Sequence, residues 1–351
     1  MLSGKEIKEI REHLEKAQNP VFFFDNDVDG LVSFILLRRF IGRGKGVAIK
    51  SFPELDESYA RRVDEFNADY VFILDKPIVS ESFLEEIRKK NIPVVWIDHH
   101  DVPKPKKTNN LSYYNSLDGE LGEPISYVSY VVSGKKTDAW ISLIGCISDN
   151  YIPPFYDDFV KDYPTVSIRN PDSAFQVLYE TDLGKMILMF SFSLKDRTSS
   201  VVAMINFLFN VKSPFEILKE DSNNKNIFKR YVQVRKFYDK ILEKAKRVAR
   251  GPKKLIFFQY GGDMSLSADI ANELSYRFPG KVILVAYSKG ASANISIRGS
   301  VDVREITLKA LKEIPNSSGG GHKFATGAKM SFDDLPKFKR IFEEELEKLN
   351  Y

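Results

Sequence analysis

The sequence contains one cysteine, Cys146, and four histidines in 351 residues. A single thiol excludes an internal disulfide framework and a thiolate zinc site. Any bound metal must therefore be held by carboxylates and imidazoles. Long apolar runs are missing as well: no segment approaches the ~20 apolar residues of a membrane span. The opening "MLSGKEIKEIREHLEKAQ" reads as a charged amphipathic helix without the apolar centre of a signal peptide. These absences predict a cytoplasmic protein with no membrane partner. Charge of one sign is not in large excess either, since 52 Lys and Arg face 48 Asp and Glu for a net +4. An argument for a polyanionic partner has to rest on where the charges sit. Four glutamines beside many Lys, Glu and Ile give the composition a resemblance to hyperthermophile proteins.

What is present is an alternation of apolar runs and helical periodicity, the pattern of a parallel sheet with crossover helices. The spacing predicts strands over Val21–Asp25, Gly46–Phe52, Tyr70–Asp75 and Val94–Ile97, with helices at about Leu31–Arg43, Ser58–Asn67 and Ser80–Lys90. After Asn115 the pattern turns helical, with buried helices expected in "PISYVSYVVS", "TDAWISLIGCISDN", "LGKMILMFSFSL" and "SSVVAMINFLF". A basic amphipathic helix follows, with twelve Lys or Arg between Lys225 and Lys254 against Asp239 and Glu243. A second, smaller α/β unit begins after "GPKK": strands in "KLIFFQY", "KVILVAYS", "SANISIRGS" and "GAKMSF", helices in "SADIANELSYRF", Val303–Glu313 and "LPKFKRIFEEELEKL", and a glycine turn "SSGGGHKF". The expected organisation is residues 1–220, a connecting helix over 221–252, and residues 253–351.

The first unit gathers its acidic and imidazole residues at strand ends. Asp25 ends one strand, with Asp27 and Asp29 in the following turn; Asp75 ends the next; Asp98, His99 and His100 end a third. Parallel strands bring these ends to one edge of the sheet, where ligands of such sheets collect. Each piece has an ordinary alternative: Asp27 or Asp29 can cap a helix, Asp75 can form a turn, and the histidines can be a core pair. Together they form a cluster that could not stay ionised in a partly buried cleft without cations. A pair of divalent metals is the economical answer, and mixed carboxylate and imidazole donors suit Mn²⁺.

"DNDVDG", Asp75, "DHH" over Asp98–His100 and Asp149 in "LIGCISDN" resemble, in order, the four motifs of the DHH phosphoesterase superfamily. "SIRGS" and "GGGH" resemble its DHHA1 domain. The resemblance covers nearly the whole chain and implies an N-terminal parallel-sheet DHH domain with a helical extension and a smaller α/β DHHA1 domain, with the active site in a cleft between them. It implies two metal ions, with Asp27 and Asp29 on separate ions, Asp75 bridging, and His99 and Asp149 completing the ligands. Mg²⁺ or Co²⁺ are possible substitutes for Mn²⁺. His100 faces the substrate phosphate and Asp98 orients an imidazole. Asp25 stands where the RecJ branch has an aspartate, as a ligand or only a neighbour. Two cations ~3.5–4 Å apart can acidify a water and clamp the phosphoryl oxygens of an in-line displacement.

Within the DHHA1 resemblance, Gly319, Gly320 and Gly321 allow backbone N–H groups to approach an anion, with His322 beside them. Arg298, followed by Ser300, offers a fork for a phosphate. The basic helix is either a solvated face or a wall that tracks the phosphates of a single strand, with Tyr231, Phe237 and Tyr238 available for base stacking if exposed. The group that the motifs resemble most is the archaeal RecJ-like exonucleases, which implies single-stranded DNA or RNA as substrate and a replication or repair protein as partner. The alternatives are a nanoRNase or 3',5'-bisphosphate nucleotide phosphatase acting on dinucleotides or mononucleotides, and a catalytically weak replication or repair scaffold.

Overall fold

The run Pro-Val-Phe-Phe-Phe-Asp forms the strand Pro20–Asp25, and its side chains alternate between two buried faces. Phe22 and Phe24 enter one core with Phe34, Phe72 and Ile97, while Val21 and Phe23 enter another with Ile73, Phe83 and Trp96. A strand buried on both sides reads as a continuous apolar run, which is why the sheet was visible in the sequence. The computed structural model describes residues 1–50, 54–118 and 121–349. It divides into two units, Met1–Tyr231 and Val232–Tyr351.

The sheet of the first unit has five parallel strands in the order Lys45–Ile49, Pro20–Asp25, Tyr70–Leu74, Val94–Asp98 and Leu111–Asn115. The last was not expected. "LSYYN" is only half-buried apart from Tyr114, so it lacks the apolar run that marks the others. The region expected as a helix over Ser58–Asn67 is a 3-10 turn, Glu57–Tyr59, and a short helix, Arg61–Glu65. The end of the expected strand at Ser51 and Phe52 lies outside the described residues. The first crossover helix, Val28–Ile41, starts earlier than its apolar residues suggest, because Asp27 caps it.

Helices appear at all four expected places: Ile125–Ser133, Ala139–Ser148 and Asp182–Leu194 are largely buried, whereas Thr198–Leu208 buries one face and exposes the other. Arg39 ties this helical layer to the crossover helix. Its Nε and Nη2 donate to Asp138 at 3.0 and 2.8 Å, and its Nη1 donates to the carbonyls of Leu208, Phe209 and Val211.

The basic helix spans Lys225–Ala249, and the division between units falls within it. Its aromatic residues do not wait for bases. Tyr238 is fully buried with its hydroxyl donating to Glu273, Tyr231 stacks on Phe192, and Phe237 is half-buried beside Gly262. Burial removes the stacking role foreseen for Tyr238, while Tyr231 and Phe237 keep part of their surface exposed.

The sheet of the second unit runs Leu255–Gly261, Val282–Lys289, Ser292–Arg298, Ala325–Ser331 and Ser318–His322. Its first pair is parallel and the rest are antiparallel. The glycine segment is therefore an edge strand and not the turn its composition suggests. The edge position tolerates glycine, and at Gly319 the pairing requires it: a Cβ there would lie 2.6 Å from Gly327 O and from Leu311 Cδ1. No helix among the described residues is long and apolar enough to cross a membrane.

Candidate metal centre

The first-unit residues singled out in the sequence lie at the carboxyl ends of the strands and on the elements that follow. Asp25 is the last residue of its strand, and Asp27 is the N-cap of the next helix, accepting from Gly30 N at 2.9 Å. The capping alternative is thus realised by Asp27 without removing its second oxygen from the edge. Gly30 lets the helix turn close under the strand, since a Cβ would lie 2.6 Å from Asp25 O. Asp29, in the helix's first turn, is buried and accepts from Ile125 N at 2.8 Å, Ser126 N at 3.0 Å and the Ser126 hydroxyl. It thereby satisfies the N-terminal N–H groups of the helix Ile125–Ser133, which has no side-chain cap of its own. Gly145 permits this: a Cβ would fall 2.5 Å from the Ser126 side chain and 3.2 Å from Asp29 Oδ1.

Asp75 follows its strand in the left-handed conformation, φ 57°, which aspartate adopts more readily than most side chains. Its N–H donates to Ile97 O at 3.0 Å, which fixes the turn against the neighbouring strand. Its side chain is 2% exposed, and among the described residues no hydrogen bond reaches Oδ1. His99 Nε2 lies 3.2 Å from that oxygen without hydrogen-bond geometry, and His99 Nδ1 lies 3.6 Å from Asp149 Oδ2. Donor atoms of Asp29, Asp75 and His99 all lie within 4.8 Å of one another. Asp149 ends the helix Ala139–Ser148.

Asp98 and His100 form a pair beside this cluster, with His100 Nδ1 4.0 Å from Asp75 Oδ1. His100 Nδ1 stands 2.8 Å from Asp98 Oδ1, and His100 N donates to Asp98 Oδ2 at 3.1 Å. A carboxylate can only accept, so Nδ1 carries the proton and the ring is held in one orientation. The imidazole that Asp98 orients is therefore that of His100.

The electrostatics report a shortage of positive charge. Burial raises Asp75 well above the usual carboxylate range, Asp27 and Asp29 add to this, and His99 only partly opposes it. Burial, then Asp25 and Asp29, raise Asp27, although that residue keeps one side open to solvent. Burial also pushes Asp149 up to about 6. Burial would lower His99, but Asp149, then Asp75 and Asp29, hold it well above its usual value. Asp98 goes the other way, because the His100 hydrogen bond and the two imidazoles outweigh its burial. A buried carboxylate oxygen without a hydrogen bond, among carboxylates driven toward protonation, fits a divalent cation.

Residues 21–141 match the model of the DHH family, N-terminal domain, and residues 251–348 match that of the DHHA1 domain. The chain belongs to the DHH/DHHA1 superfamily. In structure it resembles RecJ in complex with Mn²⁺ from Thermus thermophilus, with TM-score 0.71 at 16% identity over 98% of this chain. The chain spans only 54% of that protein's length. It also resembles an exonuclease RecJ bound to manganese, with TM-score 0.65 at 15% identity over 98% of this chain and 94% of that one. A pGpG-specific phosphodiesterase from Vibrio cholerae aligns with TM-score 0.51 at 12% identity over 94% of this chain and 99% of that one. At these identities the likeness is one of fold. No curated protein matches the chain in sequence.

Three contributors to the DHH site escaped the sequence reading. Lys76 is buried with Nζ 3.1 Å from Asp25 Oδ1, Ser126 holds Asp29, and Gly145 makes room for both Ser126 and Asp29. The Asp-Lys-Pro step after an apolar strand was the available signal for Lys76. In the DHHA1 unit, Arg298 donates from Nε to Asn272 Oδ1 at 2.5 Å and from Nη1 to the carbonyls of Ile297 at 2.8 Å and Thr326 at 3.3 Å. Part of the fork expected for phosphate is thus used to fix the side chain. Ser300 follows this strand, and Gly319, Gly320, Gly321 and His322 lie on the edge strand of the same sheet.

Proposed function

We propose that the chain is a metal-dependent phosphodiesterase that shortens single-stranded DNA or RNA from an end. The observation that carries this reading is the buried Asp75 Oδ1, which among the described residues makes no well-aligned hydrogen bond and has His99 Nε2 at 3.2 Å, where Asp29 and His99 converge. Asp27, Asp29, Asp75, His99 and Asp149 would hold two divalent cations, with Mn²⁺ the preferred species and Mg²⁺ or Co²⁺ substitutes. Bound there, the cations would supply Lewis-acid polarisation of phosphoryl oxygens and a water acidified toward neutral pH. The protein supplies position: Asp29 is fixed by three hydrogen bonds, Asp75 by the Ile97 carbonyl, and His100 by Asp98. With Nδ1–H donated to Asp98, an imidazolium at His100 would donate from Nε2–H to a phosphoryl oxygen and stabilise the charge that develops on it. Arg298, Ser300, Gly319, Gly320, Gly321 and His322 would hold the nucleotide.

A polymer is favoured over a dinucleotide by the exposed face of the helix Lys225–Ala249. Lys225, Lys229, Lys236, Lys240 and Arg247 recur there at three- and four-residue steps, interrupted by Val232 and Glu243. Ion pairs inside the helix, Arg235 with Asp239 and Lys246 with Glu243, involve other cations.

The test is to incubate the protein with Mn²⁺ and single-stranded DNA or RNA labelled at either end, alongside labelled dinucleotides. A ladder shortening from one end supports the exonuclease. Cleavage of dinucleotides alone would turn the assignment to a nanoRNase. Absence of bound manganese together with absence of turnover on every substrate would leave a scaffold. The basic face has its own measurement: Lys229→Gln with Lys236→Gln should flatten the salt dependence of single-strand affinity by about 0.7 per lost phosphate contact.

A further inference from the structure

Two stretches of chain that border the candidate metal centre each carry a tyrosine that the core does not claim. In the first, Gly122 passes against His99, since a Cβ there would lie 2.7 Å from His99 O. Ile125 and Ser126 then hold Asp29, and Tyr127 follows in the first turn of the helix Ile125–Ser133. In the second, Asp149 ends the helix Ala139–Ser148, and the chain leaves it through the left-handed Asn150, φ 57°. Asn150 N donates to Ile147 O at 3.2 Å and Tyr151 N donates to Cys146 O at 2.8 Å, the pair of bonds that closes a helix at a left-handed residue. One turn thus fixes both Asp149 and Tyr151.

The rings of Tyr127 and Tyr151 meet with centroids 5.6 Å apart. Phe155 backs them, nearly parallel to Tyr127 at 6.1 Å, and Tyr130 packs on Phe155 at 4.8 Å. Tyr130 and Phe155 pack against the core of the first unit, whereas Tyr127 and Tyr151 are half-buried rings outside it. A tyrosine buried for packing finds a partner for its hydroxyl, as Tyr156 does with Ile168 O at 2.8 Å and Tyr238 with Glu273. Among the described residues the hydroxyls of Tyr127 and Tyr151 have none. Burial, then the Glu123 carboxylate, raises both phenols, so a negative charge is felt beside the rings. Such a place repels a phosphate and accepts a neutral aromatic base.

We infer that Tyr127 and Tyr151 form a shelf on which a nucleobase of the substrate stacks beside the metal centre. The inference rests on the exonuclease reading above and names a second part of the strand that the protein grips. An enzyme that shortens a strand residue by residue has to hold each base in turn. Stacking on aromatic rings does this, because every base has a π-face, whereas hydrogen-bond readout of base edges would favour some bases over others. The basic helix face then serves the phosphates and the shelf serves the bases.

The test is the affinity, by fluorescence anisotropy in Mn²⁺, of a labelled single strand made non-hydrolysable at its terminal linkages. Tyr127→Leu and Tyr151→Leu should each weaken binding by about 10-fold, while Tyr127→Phe and Tyr151→Phe stay within about twofold of wild type. The salt slope should not change in any of the four, since no phosphate contact is lost. An abasic residue moved along the strand should cost the wild type about 10-fold at the position over the shelf, and the Leu variants should lose nothing further there, because both changes remove one contact. Should the Leu variants fail to fold, Tyr151→Trp carries the test: the native Trp96 and Trp140 are buried, so the new indole reports alone on stacking. Its emission should be quenched by the intact strand and not by the abasic one. Wild-type affinity in the folded Leu variants, or a wild type indifferent to abasic residues at every position, would overturn the inference and return the rings to packing or to a protein contact. A wild type that neither binds nor shortens single strands would sink the exonuclease reading and this inference with it. A wild type that shortens strands while the Leu variants bind as tightly would sink the inference alone.

Discussion

In the DHH unit, carboxylates at the sheet edge outnumber the protein groups that satisfy them. In the DHHA1 unit, the candidate recognition residues are already bonded within the protein. Among the described residues Asp75 Oδ1 makes no well-aligned hydrogen bond, and Asp27, Asp75 and Asp149 are all pushed toward protonation. Arg298, by contrast, is fixed by Asn272 and two carbonyls, and the buried hydroxyls of Ser296 and Thr307 pair with Ser267 and Thr326. The difference separates two kinds of site. One stores unfavourable charge that a bound cation would relieve, so occupancy should change its stability. In the other, the Arg298 donors are engaged without ligand, so occupancy should change stability less.

The largest effect should come from removing the unbonded oxygen. Asp75→Asn is expected to cut Mn²⁺-dependent hydrolysis by more than about 100-fold, because a ligand loss exceeds what neighbours of ligands cost. A variant retaining most of its activity would end the comparison, since the edge would then hold no centre built on Asp75. The metal-free protein should also respond to pH. A carboxyl raised in the folded state binds its proton more tightly than in the unfolded chain, so its contribution falls as pH rises through the folded value. For Asp149 the loss runs from the ordinary carboxylate range up to about 6, and for Asp75 it reaches higher. The raised His99 acts in the same direction: its stabilisation is complete below the unfolded value and is lost as pH rises through the folded one. Tm of the chelated chain should therefore fall from pH 5 to pH 8, and added Mn²⁺ should remove most of the slope. An equal slope with and without metal would contradict the stored-charge picture.

The same contrast explains what the sequence disclosed. Strand-end carboxylates were legible because doubly buried parallel strands such as "VFFFD" and "VVWID" announce themselves as apolar runs, and topology then brings their ends together. Lys76 and Ser126 were not legible, because their partners, Asp25 and Asp29, lie 51 and 97 residues away and no local periodicity encodes such contacts. "LSYYN" lacked an apolar run, and "SGGGH" carries turn composition while hydrogen bonding to Ala325–Ser331 makes it a strand. Each of these two lies at one margin of its sheet, where pairing and not side-chain burial decides the conformation, whereas the opposite margins, Lys45–Ile49 and Leu255–Gly261, carry enough apolar residues to be read.

A smaller effect is expected at Ser126. Its hydroxyl and N–H hold Asp29, and Ser126→Ala removes only the hydroxyl. Mn²⁺ affinity should weaken by about 10-fold, the lower end for a group that orients a ligand, with the backbone bonds from Ile125 and Ser126 retaining the rest. Calorimetric titration checks this, and an unchanged Kd would show that the helix N-terminus alone fixes Asp29.

The smallest structural effect, and the sharpest test of the DHHA1 side, is at Gly320. A Cβ there meets nothing within 4 Å, whereas at Gly319 it would strike Gly327 O and Leu311 Cδ1. Gly320→Ala should leave stability within about 0.5 kcal/mol of wild type, as open surface positions do, while Gly319→Ala should lower Tm. If substrate lies against this edge strand, the added methyl of Gly320→Ala occupies space intended for it and KM for the oligonucleotide should rise while kcat and Mn²⁺ affinity hold. A KM that stays at the wild-type value would move nucleotide recognition away from Gly320 and leave the glycine segment explained by the pairing at Gly319 alone.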